Sequence, residues 1–383
     1  MRILILSSEF PPGPGGIGTH AYQLGKYLSS QSHSVMVLSP QDYAKQKEID
    51  EFNAAQTFEI IRLQSCAFKP FQIFQRLIVI LKTLAQFKPE LVIASGGKTS
   101  WIAAMLLKLR KTPWVLIGHG TEFGDHGLLN SWFTKISGNA ADAVICVSEY
   151  TKEALHTFGI DKPPVFVIHN GADHTLYYPL PDNEIRSLRN EHGARDKFVL
   201  LTVGRVYNRK GQEVVIRALP LILKSHPEVV YWMVGIPQDQ QKLTDIADKL
   251  RVRDHIRFWG KVSNQKMVGY YNACDLFVMT SRQLVNGNFE GFGIAVIEAA
   301  LCGKAAVVSK NSGLAEAVKH DETGLIVPQN DPVNTAEAIL RLIENRRELE
   351  SLSSQARYNA IENQTWDKVG ANYLNVFEKV ISS

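Results

Sequence analysis

Cysteine is scarce in this sequence, a long apolar run is missing, and one region is almost without acid. Four cysteines are spread over 383 residues, at 66, 146, 274 and 302, with no CxxC pair and no histidine nearby in metal-ligand spacing. That pattern excludes a disulfide framework and the usual zinc sites, and it fits a reducing compartment. Cys146 and Cys302 stand among small and apolar residues and read as buried thiols. The longest apolar stretch, Leu77–Leu84, is broken by Lys82 and falls far short of the roughly 20 residues that span a bilayer. At the amino end, Ile3–Leu6 runs straight into Ser7-Ser8-Glu9, without the extended apolar region of a secretory signal. The expectation is a cytoplasmic protein, able to sit peripherally on the inner face of a membrane.

Acid is the third shortage. Between Ile60 and Thr121 the basic residues are Arg62, Lys69, Arg76, Lys82, Lys88, Lys98, Lys108, Arg110 and Lys111, and Glu90 is the only acid. A one-sided field attracts anionic surfaces, lipid head groups among them. A solvated basic face is the plainer alternative. The formal charge of the whole chain is only +4, which does not call for nucleic acid.

What is present is the material of two α/β domains. The chain is too long for one ordinary domain. Its 45% hydrophobic and 21% charged residues are enough for two cores and argue against disorder. Short apolar runs without alternation (Ile3–Leu6, Val35–Leu38, Leu91–Ala94, Trp114–Ile117, Ala143–Val147 and Val165–Ile168) read as parallel strands covered on both faces. Helical segments lie between them: 18–29, 71–87, 100–109 and 149–158. A polar, turn-rich stretch follows from His169 to Lys197, and then the pattern restarts. Its strands are Phe198–Val203, Val229–Val234, His255–Phe258, Leu276–Met279, Ala305–Val308 and Leu325–Val327, with helices at 210–223 and 240–250. From Pro332 to about Ile381 the chain reads as helix, with breaks near Asn345 and Gln364. Two doubly wound, Rossmann-like domains facing each other across a cleft are the predicted architecture.

Four loops carry chemistry-bearing residues. The first βα turn, Ser7 to Gly18, contains Gly15 and Gly16. Glycines there allow close approach of an anionic ligand to a helix N-terminus, or serve only the turn. It is not the GxGxxG dinucleotide fingerprint. After strand Phe198–Val203 come Gly204, Arg205 and Lys210. Two cations at the carboxyl end of a strand suit a diphosphate and its departure, if they are not merely solvated. Glu290-Gly291-Phe292-Gly293-Ile294-Ala295-Val296-Ile297-Glu298 follows strand Leu276–Met279. A helix starting near Phe292 would place Glu298 about 12 Å beyond Glu290 at 1.5 Å per residue. Glu290 would then reach a sugar and Glu298 a ribose, with a diphosphate near the positive end of the helix dipole. The alternative is a helix cap plus a surface glutamate, although an idle Glu298 among apolar neighbours would be costly unless bonded. A helix after Ala305–Val308 would add N–H groups from 309–316. His119, between Gly118 and Gly120 after Trp114–Ile117, is either structural or turned to the cleft.

With these residues the chain resembles the family 4 retaining glycosyltransferases of the GT-B fold. Glu-x7-Glu stands at Glu290 and Glu298, and Gly15-Gly16, Gly204-Arg205, Lys210-Gly211 and Asn170-Gly171-Ala172-Asp173 follow in the family's order. Phe10-Pro11-Pro12 and Arg209-Lys210-Gly211-Gln212 are similar to bacterial mannosyltransferases that act on phosphatidylinositol mannosides. The resemblance implies two domains: 1–172, joined by 366–383 where the last helix crosses back at Trp366, and 173–365, which binds the donor. It implies that Arg205 and Lys210 bind the donor diphosphate, that Glu290 contacts the transferred sugar and Glu298 the ribose, and that Phe292, Gly293 and Ile294 present N–H groups. It implies that Gly16 approaches the diphosphate and His119 lines the sugar and acceptor side. The donor is then GDP-mannose or a UDP-hexose, the acceptor lipid-linked or a glycan, the configuration retained, and no metal or other cofactor is needed. A sugar-nucleotide epimerase, a phosphorylase and a non-catalytic nucleotide-sugar sensor are the alternatives.

Overall fold

The computed structural model describes residues 1–13, 15–40, 44–64, 68–107, 112–124 and 127–382. Cys66, Lys108, Arg110 and Lys111, singled out above, lie outside the described residues. The chain divides into two units, Met1–Asn170 with Trp366–Ser383, and Gly171–Thr365.

The first unit contains β1 (Arg2–Ser7), α1 (Gly16–Ser30), β2 (Ser34–Pro40), α2 (Gln46–Ala54), β3 (Glu59–Leu63), α3 (Lys69–Phe87), β4 (Leu91–Ser95), α4 (Gly97–Leu107), β5 (Trp114–Gly118), α5 (Leu128–Gly138), β6 (Ala143–Cys146), α6 (Glu149–Phe158) and β7 (Val165–Val167). Its strands are parallel, in the order β3-β2-β1-β4-β5-β6-β7. The second unit contains α7 (Asp182–Glu191), β8 (Phe198–Val203), α8 (Gln212–Ile222), β9 (Val229–Val234), α9 (Gln240–Lys249), β10 (Ile256–Gly260), α10 (Asn264–Ala273), β11 (Leu276–Met279), α11 (Ile294–Leu301), β12 (Ala306–Ser309), β13 (Gly324–Val327), α12 (Pro332–Glu344) and α13 (Arg346–Asn363). Its parallel sheet runs β10-β9-β8-β11-β12-β13. The last helix, α14 (Trp366–Ser382), returns to the first unit.

The non-alternating strand sequences are explained by burial on both faces. Every residue of β8 is buried, as are the last five of the six in β1. Both sheets reverse their winding direction once, between β1 and β4 and between β8 and β11. Open α/β sheets bind ligands at that point, outside the carboxyl ends of the strands. The loops after β8 and β11 are therefore the ones that matter in the second unit.

Several elements carry no clear period in the sequence. Helix α7, inside the stretch read as a polar linker, has no buried residue and so no apolar stripe. Helix α8 begins at Gln212 rather than Lys210, because Asn208–Lys210 form a separate 3-10 turn that ends on Gly211 at φ 75°. Helix α11 begins at Ile294 rather than Phe292, because Gly293 at φ 91° is its cap. Where a helix was expected after β12, Gly313–Glu316 make only a 3-10 turn. The carboxyl-terminal helix does break at Asn345 and Gln364: Asn345 accepts the Glu348 N–H at 3.2 Å and caps α13.

Helices α1 and α14 pack through a glycine. A Cβ at Gly370 of α14 would overlap the Tyr27 ring of α1. Gly370→Ala is expected to destabilise the protein by about 1–3 kcal/mol, the usual cost of overpacking. A thermal melt checks this, and an unchanged midpoint would refute the packing.

Candidate functional site

In the second unit the loops after β8 and β11 are joined by one carboxylate. Glu290 Oε2 accepts from Lys210 Nζ at 2.8 Å and from Arg209 Nη1 at 2.7 Å. Arg209 Nη1 also donates to the Phe289 carbonyl at 2.8 Å, which fixes the chain just before the glutamate. All three side chains are largely shielded, with 12% exposure at Glu290, 15% at Lys210 and 17% at Arg209. Burial alone would raise the Glu290 carboxyl, but Lys210 and Arg209 outweigh it and hold it below the ordinary carboxylate value. Burial lowers the Lys210 ammonium, with Glu290 pulling the other way.

Glycines make this close approach feasible. Gly211 abuts the Thr280 carbonyl so tightly that a Cβ would overlap it, and its φ of 75° suits glycine. A Cβ at Gly204 would touch the Lys210 stem at 3.4 Å. Gly313 abuts the Gly291 carbonyl, and its N–H donates to the Glu290 carbonyl at 3.0 Å. The 3-10 turn after β12 thus buttresses the Glu290 loop.

Arg205 stands apart from the other cations. It is exposed and has no carboxylate partner among the described residues. Phe292 is buried, Gly293 caps α11 and Ile294 opens it, at the positive end of the helix dipole. An open guanidinium and a helix N-terminus beside a glycine-rich loop suit an anion such as a diphosphate.

Glu298 lies one turn into α11 among tyrosines. The Tyr271 hydroxyl donates to Glu298 Oε2 at 2.6 Å, and the Tyr177 hydroxyl also bonds this carboxylate. Burial raises the Glu298 carboxyl, and the two hydroxyls act against that rise. The bonding that a shielded Glu298 requires is therefore supplied by Tyr177 and Tyr271, neither of which the sequence marked. Between Glu290 and Glu298 only the part from Ile294 onward is helical, so helical rise accounts for about 6 Å and the rest of the span is loop.

In the first unit, His119 follows β5 and is buried. Its Nε2 shares a hydrogen bond with Ser95 Oγ at 2.9 Å, and its backbone N–H donates to Glu122 Oε2 at 3.1 Å. Burial pushes its imidazole down to about 3, so it is neutral. The ring of His20 packs edge-on at 5.0 Å, and its Nε2 meets the Tyr373 hydroxyl at 2.8 Å. Among the described residues, His20 Nδ1, Trp366 Nε1 and Glu122 Oε1 are buried without a hydrogen-bond partner. Gly15, at φ 141°, lies against the Glu9 carboxylate, and a Cβ there would overlap it. Gly16 opens α1 with nothing near its missing Cβ. Arg209, Glu122 and His20 carried no role in the sequence reading. Arg209 and Glu122 adjoin residues that did, whereas His20 is brought to His119 only by the fold.

Among the described residues, no three His, Cys, Asp or Glu side chains converge as a metal ion would need. No helix of the described residues is long and apolar enough to cross a membrane.

The chain matches two family models, Glycosyltransferase Family 4 over residues 14–176 and Glycosyl transferases group 1 over residues 184–359. It is 27% identical to the GDP-mannose-dependent alpha-(1-6)-phosphatidylinositol monomannoside mannosyltransferase of Mycolicibacterium smegmatis, covering 96% of each chain. It is 26% identical to a glycogen synthase of Mycobacterium tuberculosis, over 98% of this chain and 94% of that one. Its fold matches that of Anabaena HepE, crystallised with UDP and glucose, with a TM-score of 0.85 at 22% identity over 99% of this chain and 100% of that one. It also matches a sucrose-phosphate synthase from Thermosynechococcus elongatus, with a TM-score of 0.81 at 20% identity over 100% and 99% of the two chains.

Burial raises the Glu122 carboxyl from 4.5 to about 7. A carboxyl raised on folding stabilises the fold fully below its unfolded value, and that contribution is lost as pH rises through the folded value. Glu122→Gln cannot ionise. It is expected to melt with the wild type at about pH 4 and to exceed it at about pH 8 by about 1–3 kcal/mol. Melting curves at the two pH values decide, and parallel pH dependence of the two proteins would exclude a raised carboxyl.

Proposed function

The chain belongs to the group 1 and family 4 glycosyltransferases of the GT-B fold and moves sugar from a nucleotide sugar; on that premise, we propose that it transfers a hexose of the mannose or glucose type to a lipid-linked or glycan acceptor, retaining configuration and using no metal. The observation that carries the donor part is the division of cations after β8. Glu290 aligns Lys210 and Arg209 and leaves one positive charge over, Arg205 is exposed, and α11 presents its N-terminus after the Glu290 loop.

In this reading the second unit grips the donor. Arg205, Lys210 and the N–H groups around Phe292, Gly293 and Ile294 stabilise the diphosphate as it gains charge on leaving. Glu290, already aligned by its two cations, accepts hydroxyls of the hexose, and Glu298 those of the ribose. Gly204, Gly15 and Gly16 give backbone access, and neutral His119 hydrogen-bonds on the sugar and acceptor side. The leaving phosphate takes the acceptor proton on the same face, which retains configuration without a covalent nucleophile. GDP-mannose is supported by the name of the Mycolicibacterium relative, and a UDP-hexose by the UDP and glucose found in the Anabaena protein. A lipid-linked acceptor is supported by the phosphatidylinositol monomannoside in that relative's name and by the basic 60–121 stretch, which also favours a peripheral place on a membrane.

Arg205 is the clean probe of this site, because removing an exposed side chain does not strand a buried partner. Alanine at Glu290 would leave two shielded cations uncompensated, at about 3–5 kcal/mol. Arg205→Ala is expected to lower transfer by about 10²–10³-fold with an unchanged melting temperature. The measurement is a donor screen by thermal shift with GDP-, UDP- and ADP-sugars, followed by transfer assays in EDTA and NMR of the product anomer. Full activity of Arg205→Ala would remove the diphosphate assignment. An inverted product, or loss of activity in EDTA, would remove the proposed chemistry.

A further inference from the structure

Helix α5 has its polarity reversed for the surface of a water-soluble protein. Its buried positions are Thr134, Ser137 and Gly138. Its large apolar side chains face outward: Leu128 is 92% exposed, Leu129 75%, Trp132 56%, and Phe133 and Ile136 48% each. At about 100° per residue these five fill one arc of about 140°, opposite the small residues. The ordinary surface helix does the reverse and turns such a stripe to the core.

The small face has its own explanation, because it lets α5 lie against α4. Ser137 Oγ meets Ser100 Oγ at 3.0 Å, and Trp101 Nε1 donates to Thr134 Oγ1 at 3.0 Å. Among the described residues the large face stays exposed. Met105 of α4, 54% exposed, adds to it, and the Trp101 ring supports Phe133 from 5.7 Å. The result is a contiguous apolar ridge on two helices, larger than the scattered hydrophobic residues every surface shows.

Charge identifies the occupant. Neither α4 nor α5 contains an acid, and both carry an exposed lysine, Lys98 and Lys135. Helix α3 repeats the combination, with exposed Ile73, Phe74 and Leu81, a lysine at 82, and no acid. A second copy of this chain would bring like charges together across a two-fold contact, with no carboxylate on either helix to offset them. An anionic lipid surface answers both features. Leucine, phenylalanine and tryptophan settle at the boundary of head groups and acyl chains, and the lysines meet the head-group charge.

We propose that the α4–α5 ridge, centred on Leu129 and Trp132, inserts into the interface of an anionic lipid bilayer and seats the first unit on it. The proposal is independent of the donor reading, since its readout is vesicle binding in the absence of any sugar nucleotide.

The test is sedimentation of the full chain with phosphatidylcholine vesicles, with and without phosphatidylglycerol. The wild type is expected to sediment with the anionic vesicles and much less with the neutral ones. The double variant L129S/W132S, both positions exposed, is expected to bind about tenfold or more weakly, as loss of two inserted apolar side chains implies. In a second measurement on the wild type alone, acyl-brominated lipid is expected to quench tryptophan fluorescence, and W132F to lose that quenching. Failure of the wild type to bind anionic vesicles would overturn the proposal. So would undiminished binding by the double variant, or a wild-type dimer that the double variant converts to monomer.

Discussion

The candidate donor site depends on one shielded carboxylate with two cations. Glu290 would be expensive to hold ionised away from water, and Lys210 and Arg209 would be expensive to hold charged beside each other. Each makes the others tolerable, and the bonds at 2.7 and 2.8 Å tie the loop after β11 to the loop after β8. Two cations against one carboxylate leave one positive charge over. The residual field and the exposed guanidinium of Arg205 both favour an anion at this reversal point of the sheet. The triad therefore serves stability and the proposed chemistry through the same charges. Its glycines follow from the same demand, since a side chain at Gly211 or Gly313 would overlap a neighbouring carbonyl and separate the loops.

The fold was legible because burial on both faces leaves a plain mark. Strands such as β1, β4, β8 and β9 are continuous apolar runs, and the restart at Phe198 after a polar stretch announced the second sheet. What escaped were elements whose sequence does not follow the period. Helix α7 buries nothing, so its ten residues read as linker. Helix α5 buries threonine, serine and glycine and exposes leucine and tryptophan, so its stripe points away from the core that periodicity is used to find. Helix boundaries moved where a glycine at positive φ intervened, at Gly211 and Gly293.

The site was legible as a set of residues and less so as a set of bonds. Spacing singled out Lys210, Glu290 and Glu298, but two cations at the end of a strand looked equivalent, and they are not. Lys210 is paired with Glu290, while Arg205 is exposed without a carboxylate partner among the described residues. Which cation faces inward depends on the 3-10 turn Asn208–Lys210, a three-residue geometry with no pattern of its own. Likewise an uncompensated Glu298 was recognisably costly, yet its tyrosine partners lie 27 and 121 positions away in sequence (298 minus 271 and 298 minus 177), beyond any local motif.

The two units differ in kind at their reversal points, and that difference bears on the chemistry. In the second unit the groups are ionic: Arg205, Arg209, Lys210 and Glu290. In the first, the histidines are neutral because burial disfavours their charge: His119 is pushed down to about 3 and His20 well below its ordinary value. Neutral imidazoles cannot compensate a diphosphate, but they donate and accept hydrogen bonds without attracting counter-ions. Hydroxyl groups of a sugar or acceptor need that kind of partner. With the charged step of transfer proposed for the second unit, hydrogen bonding to hydroxyls is the task that the uncharged histidines of the first unit suit. The burial that neutralises His119 and His20 is then as much a part of the proposed catalytic arrangement as the ion pairs that hold Glu290.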